Sequence, residues 1–192
     1  MTGLRERRHA ETREAIVNAA FALFDKHGFT GTLMEQIAEH AGISRSTLYR
    51  RYSNKEEIVL EVPRTWLVAW DETIDGLGPE VSLRDAVTAG CYAVADTIDA
   101  SPDRVLSAYA ALNESPTLQL SGAASAFWLE RIADLVESRT EGLYRFDATV
   151  IAGACMGAID MMMVTWASSG GATAVRDATS RVIERIAPIL DV

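Results

Sequence analysis

Hydroxyl side chains stand just ahead of helix-forming segments at Thr32, Ser44, Ser53, Ser82, Ser101 and Ser115, and glycines close several of those segments. This punctuation fixes where helices start and stop. A hydroxyl oxygen accepts an amide that a helix N-terminus leaves unpaired, and glycine takes the left-handed turn at a C-terminus without steric cost. At Ser101 and Ser115 a proline follows, whose fixed φ suits the first helical position. Between these signals apolar residues recur with the helical period: Ile16, Ala19, Ala20, Leu23 and Phe24 form one stripe. No Asn-Gly hairpin and no sustained apolar/polar alternation marks a strand. The chain is therefore expected to be all-α, with about nine helices.

The first helix should end at "KHGF", with Gly28 as its left-handed cap. Thr32 with Glu35 forms a capping box for a second helix that stops at Gly42. Ser44 caps a third, from Arg45 to about Arg51. Ser53 and Glu56 repeat the box for a long fourth helix toward Asp75, kinked at Pro63. The rest run from Ser82 to about Ala100, from Ser101, from Ser115 to about Glu141, from Asp147 to Ser168, and from Ala172 to Asp191.

The chain has 192 residues, 48% hydrophobic and 23% charged, enough to bury a core. The N-terminus is charged with no apolar segment behind it, so no signal peptide is expected. The longest apolar run, near Val150 to Trp166, is interrupted by Asp160, so no membrane span is expected. Cys91 and Cys155 belong to no CxxC motif and read as reduced, buried thiols of a cytoplasmic protein. His9, His27 and His40 are joined by no ligand-spaced cluster, so neither metal nor cofactor is expected. Net charge is −9, unevenly spread: residues 1–55 carry nine Lys/Arg against six Asp/Glu, residues 56–192 nine against twenty-one. A basic head on an acidic body suggests a head that meets a polyanion.

The head holds "IAEHAGISRSTLYRRYSNKEE". Two short helices across a glycine turn make a helix-turn-helix. Ile37, Ala38, Ile43 and Leu48 supply the apolar contact, and the second helix turns Arg45, Ser46 and Tyr49 outward. That face can lie in a major groove, where Arg45 can pair with guanine. Thr32, Ser44 and Lys55 stand beside helix N-termini, whose amides favour phosphate. Arg50 and Arg51 can touch phosphate or pair with Glu56 or Glu57. Arg5, Arg7 and Arg8 form either a DNA-reaching arm or a frayed end.

Residues 12–60, with the apolar first helix, "IA...AGIS", "STLY" and "NKEE", resemble the N-terminal domain of TetR-family transcriptional regulators. The resemblance implies a homodimeric helical repressor: an N-terminal three-helix helix-turn-helix DNA-binding domain (residues 1–54) and a C-terminal helical ligand-binding and dimerisation domain (residues 55–192). It implies DNA contacts at Thr32, Ser44, Arg45, Ser46, Thr47, Tyr49 and Lys55, with Tyr49 and Lys55 holding phosphate. Ser46 departs from a frequent glycine, and Tyr52 from a frequent phenylalanine. Tyr52 is expected to pack with its hydroxyl at the surface.

Beyond residue 60 no specific motif appears. Trp66, Trp70, Tyr92, Tyr109, Phe127 and Trp128 either fill a core or line a largely apolar small-molecule pocket. Asp160, among apolar neighbours in "GAIDMMMVTW", needs a partner if buried. A cationic ligand, Arg181 or Arg185 across a subunit interface, or water at an edge would serve. Gly153, Ala154, Gly157 and Ala158 permit close helix approach, and Val175, Ala178, Val182, Ile186 and Ile189 form a stripe that closes the core or meets a second copy. The resemblance favours a dimer through the last two helices on a palindromic double-stranded operator. No nucleophile–base set or phosphate loop suggests an enzyme. The competing reading is a DNA-binding dimer without an effector.

Overall fold

The computed structural model describes residues 2–121 and 123–191, with the side chains of residues 2, 4–6 and 119–126 outside the description. Among the described residues eleven helical elements follow one another: α1 (Thr2–His27), α2 (Met34–His40), α3 (Arg45–Tyr49), α4 (Lys55–Val59), α5 (Glu61–Asp75), α6 (Leu83–Asp99), α7 (Pro102–Glu114), α8 (Pro116–Ser121), α9 (Ala123–Arg139), α10 (Arg145–Ser168) and α11 (Val175–Leu190). The expected number, about nine, roughly fits: one expected helix divides and another is described in two segments. The fourth expected helix divides at Leu60. Pro63 offers no amide to the Val59 carbonyl and crowds it, so the chain breaks there and Pro63 falls in the first turn of α5, where no amide is missed. The long helix expected after Ser115 is described as α8 and α9, on either side of residue 122.

Two caps sit one residue later than expected. Leu33, not Thr32, precedes α2, and its amide is accepted by Gln36 Oε1 at 2.8 Å. Asn54, not Ser53, caps α4 by accepting from the Glu57 amide at 2.9 Å. Ser44 and Ser82 cap α3 and α6 as expected. Residues 2–15 extend α1 as helix rather than forming a separate arm; the Arg5 side chain lies outside the described residues.

The chain forms two compact units. The first comprises residues 1–62 together with 107–121, so the second half of α7 and all of α8 belong to it. Its core holds Ile16, Ala20, Phe24, Phe29, Ile37, Leu48 and Ile58. The Phe24 and Phe29 rings meet at 5.2 Å. Gly28 and Gly42 take φ of 74° and 68°, the left-handed turns that release α1 and α2. Tyr52 is buried, contrary to expectation. Its hydroxyl donates to Glu61 Oε1 at 3.0 Å, and burial raises its pKa.

The second unit comprises residues 63–106 and 122–192. Here α10 packs on α9 and α11, and α6 packs on α11 and α9. The core includes Trp70, Val87, Ile132, Val136, Ile151, Cys155 and Ile186. Burial raises the Cys91 thiol to about 12 and the Cys155 thiol to about 11, which keeps both protonated. Asp99 caps α11, accepting from the Val175 and Arg176 amides at 2.7 and 3.0 Å. The expected stripe on α11 mostly closes this unit's own core: Val175, Ala178 and Ile186 are buried, and Ile189 is exposed.

Helix α10 carries two apolar faces. Ala148, Ile151, Cys155, Met163 and Trp166 point inward. Phe146, Val150, Gly153, Ala154, Gly157, Met161 and Val164 are exposed along the other side. By length and composition α10 is long and apolar enough to cross a membrane, a measure that the core helix of a helical domain also meets.

Candidate nucleic-acid interface

The interface is built on α3. Ser44 accepts the Thr47 amide at 3.2 Å, and its hydroxyl lies 2.9 Å from Thr47 Oγ1 and 3.0 Å from Ser46 Oγ. This hydroxyl cluster pins the first turn of α3. Leu48 is fully buried and anchors the helix from below. Arg45 and Ser46 are exposed, and Tyr49 is 46% exposed. The Tyr49 hydroxyl is not idle: it donates to Glu35 Oε1 on α2 at 3.2 Å. Partial desolvation, then this bond, raises the Tyr49 pKa.

Two residues expected at DNA turn inward. Thr32 is 1% exposed, and its hydroxyl donates to the Gly28 carbonyl at 2.9 Å. Lys55 Nζ donates to the carbonyls of Phe29, Thr30 and Thr32, with the Thr32 bond at 3.0 Å. Both side chains are spent on the α1–α2 turn, which the local sequence could not reveal. The neighbours are the cause: a turn with several inward carbonyls needs a cation and a hydroxyl close by. Arg51 meets His9 Nδ1 at 2.6 Å, not Glu56 or Glu57. Arg50 is exposed.

Sequence reasoning missed two carboxylates here. Glu35 was read only as part of a cap. Glu114, at the end of α7, accepts the Thr30 amide at 2.8 Å across 84 positions of sequence. That bond, more than the nearby Lys55 charge, holds the Glu114 carboxyl below its ordinary value.

Of the residues suggested for a ligand, Trp70 and Trp128 are brought together. Trp70 is 3% exposed and meets Trp128 edge-to-face at 5.6 Å. Gly90 makes room for it, since a Cβ there would lie 2.5 Å from the Trp70 ring. Arg176 covers the half-buried Tyr92 ring at 4.4 Å. Trp66 is half-buried and Phe127 is exposed. Tyr109 belongs to the first unit. Asp160 reaches solvent on the outward face of α10, where local desolvation raises its carboxyl pKa.

Residues 16–62 match the model of bacterial regulatory proteins of the tetR family. MftR of Mycobacterium tuberculosis, a transcriptional regulator ascribed to mycofactocin biosynthesis, is 33% identical over 137 residues, covering 71% of this chain and 69% of that protein. The chain belongs to the TetR family. It is a DNA-binding transcriptional regulator. Solved TetR-like structures share its fold. FadR of Bacillus halodurans superposes with a TM-score of 0.72 at 16% identity, over 91% of this TetR-family chain and 94% of that one. FadR of Bacillus subtilis, solved in complex with stearoyl-CoA, gives 0.69 at 16% identity, over 90% and 96%.

Proposed function

We propose that this regulator is a cytoplasmic homodimeric repressor, not an enzyme, which grips a palindromic operator and is released by a largely apolar small molecule. The observation that carries the DNA reading is the α3 surface. A capped, anchored helix presents Arg45, Ser46 and Tyr49 to solvent. Residues 1–54 act as the DNA-binding domain, and Ser44, Thr47 and α3 provide the contacts; Thr32 and Lys55 support them from behind. Arg45 reads a base in the major groove.

The exposed face of α10 supports a second copy as its cover. Val150, Gly157, Met161 and Val164 recur at helical spacing, and a Cβ on Gly157 would meet nothing within 4 Å. Small residues at its middle let another helix approach closely. Two copies so joined would set their α3 helices about one DNA turn or more apart.

For the effector, the stearoyl-CoA bound by one FadR relative of the fold makes long-chain acyl-CoA the first class to test. Release needs coupling of only about 1–3 kcal/mol between sites. The mutual packing of Trp70 and Trp128 favours the competing reading, a dimer without an effector. Titration onto DNA from upstream of the protein's own gene, with excess unrelated DNA at two salt concentrations, tests the first part. Specific binding survives the competitor; binding by charge alone does not. Tryptophan fluorescence during acyl-CoA addition separates the two readings.

A further inference from the structure

Glu35 is the second residue of α2. Its carboxylate accepts the Tyr49 hydroxyl at 3.2 Å. Tyr49 is the last residue of α3 and lies on the same exposed side as Arg45, whose charge also acts on it. A tyrosine hydroxyl carries one proton, and a phosphate oxygen can only accept. The hydroxyl therefore cannot serve Glu35 and a DNA phosphate at once. A phosphate drawn to Tyr49 must displace the carboxylate and then sit beside it. We propose that Glu35 restrains the DNA affinity of this head by holding the Tyr49 hydroxyl with a carboxylate at a position where phosphate would otherwise bind.

The proposal rests on the reading of α3 as the DNA face. Its consequence is a regulator whose grip on DNA of any sequence is deliberately limited. Charge repulsion at this point acts on every duplex alike, because phosphates carry no sequence information. Specific binding then depends on base contacts such as that of Arg45.

The test uses the full-length protein and two labelled duplexes, one of mixed sequence and one from upstream of its own gene. Glu35→Gln keeps an acceptor for Tyr49 and removes the charge. It should tighten both duplexes by about three- to tenfold and steepen the salt dependence by up to about one ion. Tyr49→Phe should weaken both duplexes only modestly in the wild type, where Glu35 competes with phosphate for the hydroxyl. In the Glu35→Ala background the freed hydroxyl can reach phosphate, and Tyr49→Phe should then weaken both duplexes several-fold. Circular dichroism on each variant reports folding.

Unchanged or weaker binding by folded Glu35→Gln overturns the proposal, as does an equal Tyr49→Phe effect in both backgrounds. Loss confined to the upstream duplex makes Glu35 a cytosine reader instead. If Arg45→Ala leaves both affinities intact, the α3 reading itself fails.

Discussion

Lys55 Nζ lies 4.4 Å from the centroid of the Phe29 ring while donating to the Phe29 carbonyl beside it. One ammonium thus clamps a turn through both its ring and its backbone. Adding the Thr30 and Thr32 carbonyls engages all three Nζ protons. The turn sets the angle between α1 and α2, and α2 carries α3.

Lys55→Met removes these bonds and leaves the carbonyls to water. It should cost about 1.5–3 kcal/mol in the first unit. Chemical denaturation followed by far-ultraviolet circular dichroism measures this. A folded, fully stable variant whose salt dependence of DNA binding drops by about one ion would instead make Lys55 a phosphate contact.

Glu114→Gln should flatten the acid limb of stability. Glu114 is bonded as a carboxylate and its folded pKa is lowered, first by the Thr30 amide. Its contribution is present above the unfolded carboxyl value of about 4.3 and is lost as pH falls through the lower folded value. Melting temperatures of wild type and variant should differ at neutral pH and converge in acid. Parallel curves would remove Glu114 from the turn.

Gly90→Ala should strain the second unit. The new methyl would stand 2.5 Å from the Trp70 ring, and a packed core yields only at about 1–3 kcal/mol. All four tryptophans lie in the second unit, so fluorescence during denaturation reports this loss directly.

Val150→Asp places a charge on the exposed face of α10. The monomer should fold normally, because the side chain is already at the surface. Sedimentation should show the dimer dissociating at concentrations where the wild type holds. An unchanged profile would take this face out of the subunit interface.

The head was the more legible half. Ser44, Gly28 and Gly42 act locally, within a few residues of the geometry they set, and their roles could be read directly from sequence. The Thr32 and Lys55 roles could not, because they depend on carbonyls that become neighbours only after the turn closes. Glu114 is harder still: no periodicity links it to Thr30. In the body, aromatic content alone could not separate core from pocket. Trp70 and Phe127 have similar apolar character, and only packing shows one buried and the other exposed.

Helix α7 starts in one compact unit and ends in the other. Heads and bodies of this regulator therefore cannot be exchanged at a single splice point. A chimera cut after Val62 would part the transplanted head from Ser107–Ser121, and with them Glu114. Grafting would require both pieces to travel together, so recombination between relatives should favour wholesale inheritance over shuffled halves.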